Sequence, residues 1–213
     1  MITKLTKNDY QILKERDITN LIHFTPLANL ESILRDGLKP CKHNTKEDNL
    51  LNKNTRLCID EEFVSFSVEH SNYMYLNSLL EKYNTKIVIL VFSSNVLFDR
   101  TLELHKSNPA IPRWGNAESL EDLFFEKYRF NNLPSKYPTD PRAEIRIKGD
   151  ISKSYLKEIH FTNDTKKEFE IYKQRYPKLV IRQNDSLFLP RIDDSHWKKI
   201  RENGIDIFPL NNS

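Results

Sequence analysis

Tyr137-Pro138-Thr139-Asp140-Pro141-Arg142-Ala143-Glu144-Ile145-Arg146-Ile147 runs from a proline-rich turn into a strand. From Ala143 onward the residues alternate strictly. Glu144, Arg146 and Lys148 fall on one face, with Ala143, Ile145 and Ile147 on the other, which is the two-residue period of a half-buried strand. A carboxylate at the head of such a strand is held rigidly, the placement a catalytic acid needs. The same pattern also fits an ordinary exposed face of mixed charge, so the reading depends on what surrounds it.

A second informative segment lies far upstream, from Leu21 to Leu38. It reads as a strand ending at Thr25 and then a helix. Thr25 suits the N-cap, and Pro26 suits the first helical position, where no amide hydrogen is needed. Leu27, Leu30, Ile33 and Leu34 form an apolar stripe at helical spacing, and Gly37 fits the residue that stops the helix. His23 and Thr25 share one strand face beside a helix N-terminus, a setting that suits a ribose or phosphate. A core histidine and a simple cap would fit the same residues.

Around these segments, helices are predicted at about residues 7–16, 72–83, 117–128, 165–175 and 195–203. Strands are predicted at 63–68, 86–93, 143–148, 157–162 and 178–182. A polar loop fills 40–60, a length that in compact domains often serves binding. Residues 94–116 read as irregular, with Asn108-Pro109, Ile111-Pro112 and Trp114-Gly115 as turn signals. Irregular alternation of strands and helices favours α+β over a doubly wound sheet. The four glycines form no phosphate-binding loop.

The 213 residues suit one domain, with 1–163 as its main body and 164–213 as a helix-strand extension packed on it. No apolar run approaches the roughly 18 residues needed to cross a bilayer. The first residues lack the apolar core of a signal peptide. Cys41 and Cys58 have no CxxC partner and imply neither a zinc site nor a disulfide. The expectation is a cytoplasmic protein with no membrane contact and no metal. A net charge of +3 permits binding to a polyanion without demanding it.

Taken together, the chain resembles the DarT family of nucleic-acid ADP-ribosyltransferases. The resemblance rests on His23-Phe24-Thr25 followed by Asn29-Leu30, Ile33-Leu34 and Gly37-Leu38, then Arg56-Leu57 before Ser65-Phe66-Ser67. It continues through Asn72-Tyr73-Met74-Tyr75, the strand from Ile87 to Val91, Glu121-Asp122-Leu123-Phe124, and Pro138-Thr139-Asp140-Pro141 leading into Ala143-Glu144. It covers about residues 20–162 and implies a split central β-sheet flanked by helices, with NAD as co-substrate. Glu144 would be the catalytic carboxylate, and Arg56 would stand near the phosphates and the reacting base. His23, Thr25, Asn29, Ser65, Phe66, Ser67, Tyr73 and Tyr75 would line the NAD site. Lys46, Lys53, His105, Asn108, Arg113 and Trp114 would meet the nucleic acid, single-stranded DNA before RNA. Enzymes of this kind are typically toxins, used in phage defence or restrained by a partner, so an antitoxin protein is implied.

Other readings remain at this point. The same chemistry could modify RNA or protein, and a non-enzymatic nucleic-acid-binding module, which would bind no NAD and be indifferent to changes at Glu144, is a further alternative. Asp140 with Glu144 could also suggest a metal-dependent nuclease. Arg146 stands where that chemistry wants a lysine, and a guanidinium cannot shuttle protons at neutral pH.

Overall fold

The computed structural model describes residues 2–40, 62–83, 85–98, 100–107 and 116–203. In chain order these form β1 (Ile2–Thr3), α1 (Lys7–Glu15), β2 (Asn20–Pro26), α2 (Leu30–Asp36), β3 (Phe63–Val68) and α3 (Tyr73–Tyr83). There follow β4 (Ile87–Ser93), β5 (Leu102–His105), β6 (Asn116–Ala117), β7 (Glu144–Lys148), β8 (Leu156–Phe161), α4 (Lys166–Arg175), β9 (Val180–Gln183) and α5 (Asp194–Glu202). The fold is α+β, as the irregular alternation of elements predicted.

One nine-stranded sheet runs β1-β5-β7-β3-β2-β4-β8-β9, with β6 paired to β5. Among the described residues every strand pairing is antiparallel except β8 with β9, which α4 connects as a crossover. The boundary expected at 163 therefore falls within one continuous sheet. β4 is apolar and buried from Ile87 to Phe92, as suits a strand packed on both faces. Val88, Leu90 and Phe92 enter the main core, whereas Ile87, Ile89 and Val91 pack with Leu76 and Leu79 of α3.

The sheet is nearly split in the middle. β2 pairs with β4 along all seven of its residues, but with β3 only at Leu21–Val68 and Ile22–Ser67. The earlier half of β3, Phe63 to Phe66, pairs with β7 instead. β2 and β3 therefore diverge from His23 onward and leave a wedge between two half-sheets.

Three local expectations are corrected. Thr25 does not cap a helix: β2 runs on to Pro26, a 3-10 turn occupies Leu27–Asn29, and α2 begins only at Leu30. The Thr25 hydroxyl instead accepts from Asn29 Nδ2 at 3.0 Å. No helix spans 117–128, where only the 3-10 turn Glu121–Phe124 forms. Its backbone groups are engaged elsewhere: Asp122 accepts from the amides of Glu118 and Ser119, and Asp9 from that of Leu120. Thr139 donates to the Leu123 and Phe125 carbonyls through its amide and hydroxyl. Finally, part of the stretch read as irregular is β5, which lies next to β7 in the sheet. Gly37 does end α2, at φ 87° with its amide donating to Ile33 O.

Candidate active site

Glu144 opens β7 beside the wedge. Its neighbours across the sheet are fixed by register: His105 opposite it on β5, and one pair further along, Glu103 opposite Arg146 and Ser65 opposite Arg146 on the other side. Side chains two apart on a strand, and those directly opposite across a ladder, share a face. One side of the sheet thus carries Glu144, Arg146, Glu103, His105 and Ser65 together.

The electrostatics of this face follow from its burial. Glu144 is only partly exposed, and removal from water pushes its carboxyl up to about 7. A hydrogen bond from the Ser65 side chain and the positive charge of Arg146 oppose that rise. Burial also lowers the His105 imidazole, against the opposing pull of Glu103. Arg146 and Glu103 form a charged hydrogen bond, and His105 Nε2 lies 3.4 Å from the same Glu103 oxygen.

His23 sits where β2 leaves β3. Its Nδ1 is 3.0 Å from the Ser65 carbonyl oxygen, so the bond crosses the wedge. A carbonyl can only accept, so Nδ1 carries the hydrogen and donates. Burial lowers the imidazole's pKa, and the neutral ring then presents Nε2 as an acceptor. Phe66 supports the ring from 5.8 Å. Beyond His23, no ladder pairing joins β2 to β3, which leaves backbone donors and acceptors along the opening.

The structure does not bring every expected residue to this opening. His23, Ser65 and Glu144 converge, and Thr25 with Asn29 continues along the β2 side. Ser67 is buried and accepts from the Asn72 amide at 3.1 Å. Phe66 is a core residue against Phe92. Tyr73 is corrected outright: it is 1% exposed, and its hydroxyl donates to Asp194 at 3.0 Å, so no face is left for stacking. Tyr75 is half-buried against Phe24. His105 is buried among charged partners rather than presented to solvent. Arg56, Lys46, Lys53, Asn108, Arg113 and Trp114 lie outside the described residues. Glu103 was missed by sequence reasoning, although the alternation Leu102-Glu103-Leu104-His105 carried a short strand signal. Among the described residues no three His, Cys, Asp or Glu side chains could hold a metal together. No described helix is long and apolar enough to cross a membrane.

Solved structures share this fold. Thermus sp. 2.9 DarT in complex with NAD+ is 15% identical, with a TM-score of 0.55, and the match covers 78% of this chain and 96% of that one. The same protein in complex with ADP-ribosylated ssDNA matches at 14% identity and a TM-score of 0.57, over 89% of this chain and all of the other. Thermosipho africanus DarTG in complex with ADP-ribose matches at 12% identity and 0.53, over 79% of this chain. The chain spans half the length of that Thermosipho protein. No curated protein matches the sequence. The family described as "ssDNA thymidine ADP-ribosyltransferase, DarT" matches residues 22–188. That is most of the chain, and it carries both sides of the wedge: this protein belongs to the DarT family of NAD-dependent ADP-ribosyltransferases.

Proposed function

We propose that this protein transfers ADP-ribose from NAD to a thymine base in single-stranded DNA, with Glu144 as the catalytic carboxylate. The observation that supports this best is the placement of Glu144 at the head of β7, beside a wedge bridged by His23 and Ser65. The unpaired backbone of the wedge suits a carboxamide such as that of nicotinamide. The His23 Nε2 lone pair suits a ribose hydroxyl.

In the reaction the bond between ribose C1′ and nicotinamide breaks, and nicotinamide leaves with the bonding electrons as a neutral pyridine. C1′ bears positive charge in the transition state, which the Glu144 carboxylate stabilises. The thymine ring has one N–H in DNA; its nitrogen bonds to C1′ and its proton passes to Glu144. Base pairing hides that N–H, so a single strand is the natural acceptor. Arg56 would neutralise phosphate charge, with Lys46, Lys53, Asn108, Arg113 and Trp114 contacting the strand. We propose further that the protein acts in the cytoplasm as a toxin, in defence or paired with a separate antitoxin.

Incubation with labelled NAD and single-stranded DNA, duplex DNA, RNA or cell lysate tests the reading. Label is expected on single-stranded DNA first and to depend on Glu144. Label confined to protein or RNA would overturn the acceptor assignment, and label nowhere the transferase. Expression of wild-type protein should arrest growth while that of Glu144→Ala does not; equal harmlessness would remove the toxin role.

A further inference from the structure

The turn that delivers Glu144 to the sheet is tied down by its own side chains: Thr139 donates to Leu123 and Phe125, and the buried Asp140 accepts from the amide and guanidinium of Arg142. Its prolines have no amide hydrogen to donate, and several carbonyls in and before it are met by side chains. Three arginines take those carbonyls. Arg16 reaches Ser135 at 3.3 Å, and Arg129 reaches Leu133, Pro134 and Tyr137. Arg191 donates to Pro138 at 3.0 Å and to Thr139 at 3.2 Å.

Arg191 differs from the other two. It lies beyond residues 22–188, which the family match covers, and it is 5% exposed. Its guanidinium forms a two-pronged pair with Asp193, with Nε at 2.9 Å from Oδ1. Trp197, fully buried on α5, donates its indole N–H to the other Asp193 oxygen at 2.9 Å. Burying an ion pair costs desolvation that apolar packing would avoid. Such a pair adds little stability, but it fixes geometry because a planar guanidinium aims each donor. Here the donors end on the two carbonyls directly before Asp140, whose own carbonyl accepts from the Ala143 amide at 3.1 Å. Glu144 is the next residue.

We propose that Arg191, held by Asp193 and Trp197, is a positioning device that sets Glu144 through the Pro138–Pro141 turn. The segment after residue 188 is then part of the working enzyme. This rests on Glu144 being the catalytic carboxylate, as proposed above.

The test compares Arg191→Lys, which keeps the charge but replaces the planar fork with a single nitrogen, with the milder Trp197→Phe. Ile200→Ala is the control, because Ile200 is buried on the same helix in the cluster of Trp197 but donates no hydrogen bond to Asp193 or to the turn carbonyls. For both test variants kcat should fall, by about 10²-fold in Arg191→Lys, as expected for a reacting group displaced by about 1 Å. KM for NAD should stay within about threefold. Ile200→Ala, despite equal or greater loss in melting temperature, should keep its kcat. In carbon-13 spectra without substrate, the titration midpoint of the Glu144 carboxyl should move in the test variants and not in the control. That spectrum needs no turnover, so it judges positioning even if wild-type protein labels no acceptor. Unchanged kcat and midpoint in Arg191→Lys, or a control that loses kcat in proportion to its stability, would overturn the proposal.

Discussion

His105 stands directly opposite Glu144 across the β5–β7 ladder, and the two side chains leave the same face of the sheet. Burial acts on them in opposite directions on the pKa scale but to the same end. It raises the acid and lowers the base, so both are driven toward their neutral forms. Near neutral pH the charge of this face is therefore set by Glu144, while Arg146 and Glu103 compensate each other one pair away.

The first expectation concerns pH. With Glu144 as the catalytic carboxylate proposed above, transfer needs its ionised form, so kcat/KM should rise with pH through about 7 and then level off. Stability moves the other way. Below the ordinary carboxyl pKa, near 4.5, folded and unfolded chains are both protonated. Between there and about 7 the unfolded chain ionises first, and above about 7 the folded chain carries a buried charge. Glu144→Gln should therefore melt higher than wild type at about pH 8, with the difference vanishing near pH 4. Scanning calorimetry at the two pH values decides it.

His23 should act on binding more than on chemistry. His23→Ala removes the acceptor Nε2 and the bond that spans the wedge, so NAD affinity should drop about tenfold, as for loss of one or two hydrogen bonds. At saturating NAD the rate should stay within a few-fold of wild type. Calorimetric titration and a KM–kcat comparison separate these effects. A full loss of kcat with unchanged affinity would place His23 in the chemical step.

Arg146 and Glu103 are partners with little water around them, at 8% and 15% side-chain exposure. Arg146→Leu leaves the Glu103 charge uncompensated and should cost about 3–5 kcal/mol in urea unfolding. The double change with Glu103→Leu should recover most of that loss. Removing the Arg146 charge also takes away an influence that holds the Glu144 pKa down, so the acid limb of the activity profile should move to higher pH.

Gly37 offers a control away from the site. A Cβ there would lie 2.5 Å from the Ile151 carbonyl oxygen, at a φ of 87°. Gly37→Ala should destabilise the chain by about 1–3 kcal/mol, read by chemical denaturation. Activity per folded molecule should not change.

What the sequence disclosed depended on whether local pattern and long-range contact agreed. The strand at 63–68 and the apolar run Ile87–Phe92 of β4 are legible because their patterns reflect faces that are in fact buried. The acid at the head of β7 was legible for the same reason. Four-residue β5 was hidden because a signal that short is easily outweighed by the turn-forming residues after it. The helix read at 117–128 failed because Asp9, Asp122 and Thr139 take the backbone groups a helix would use, and two of the three lie far away or beyond the segment. Tyr73 carries an aromatic at a position suited to stacking. Only the fold reveals that Asp194, 121 residues later, holds its hydroxyl inside.

The placement of β7 also bears on how the protein is made. Its two neighbours, β3 and β5, are synthesised some 80 and 40 residues earlier, and Arg191 follows some 50 residues later. Each of these pairings must overcome the entropy of closing a long loop. A chain that stops short of Arg191 lacks the donors that meet the Pro138 and Thr139 carbonyls just before the acid.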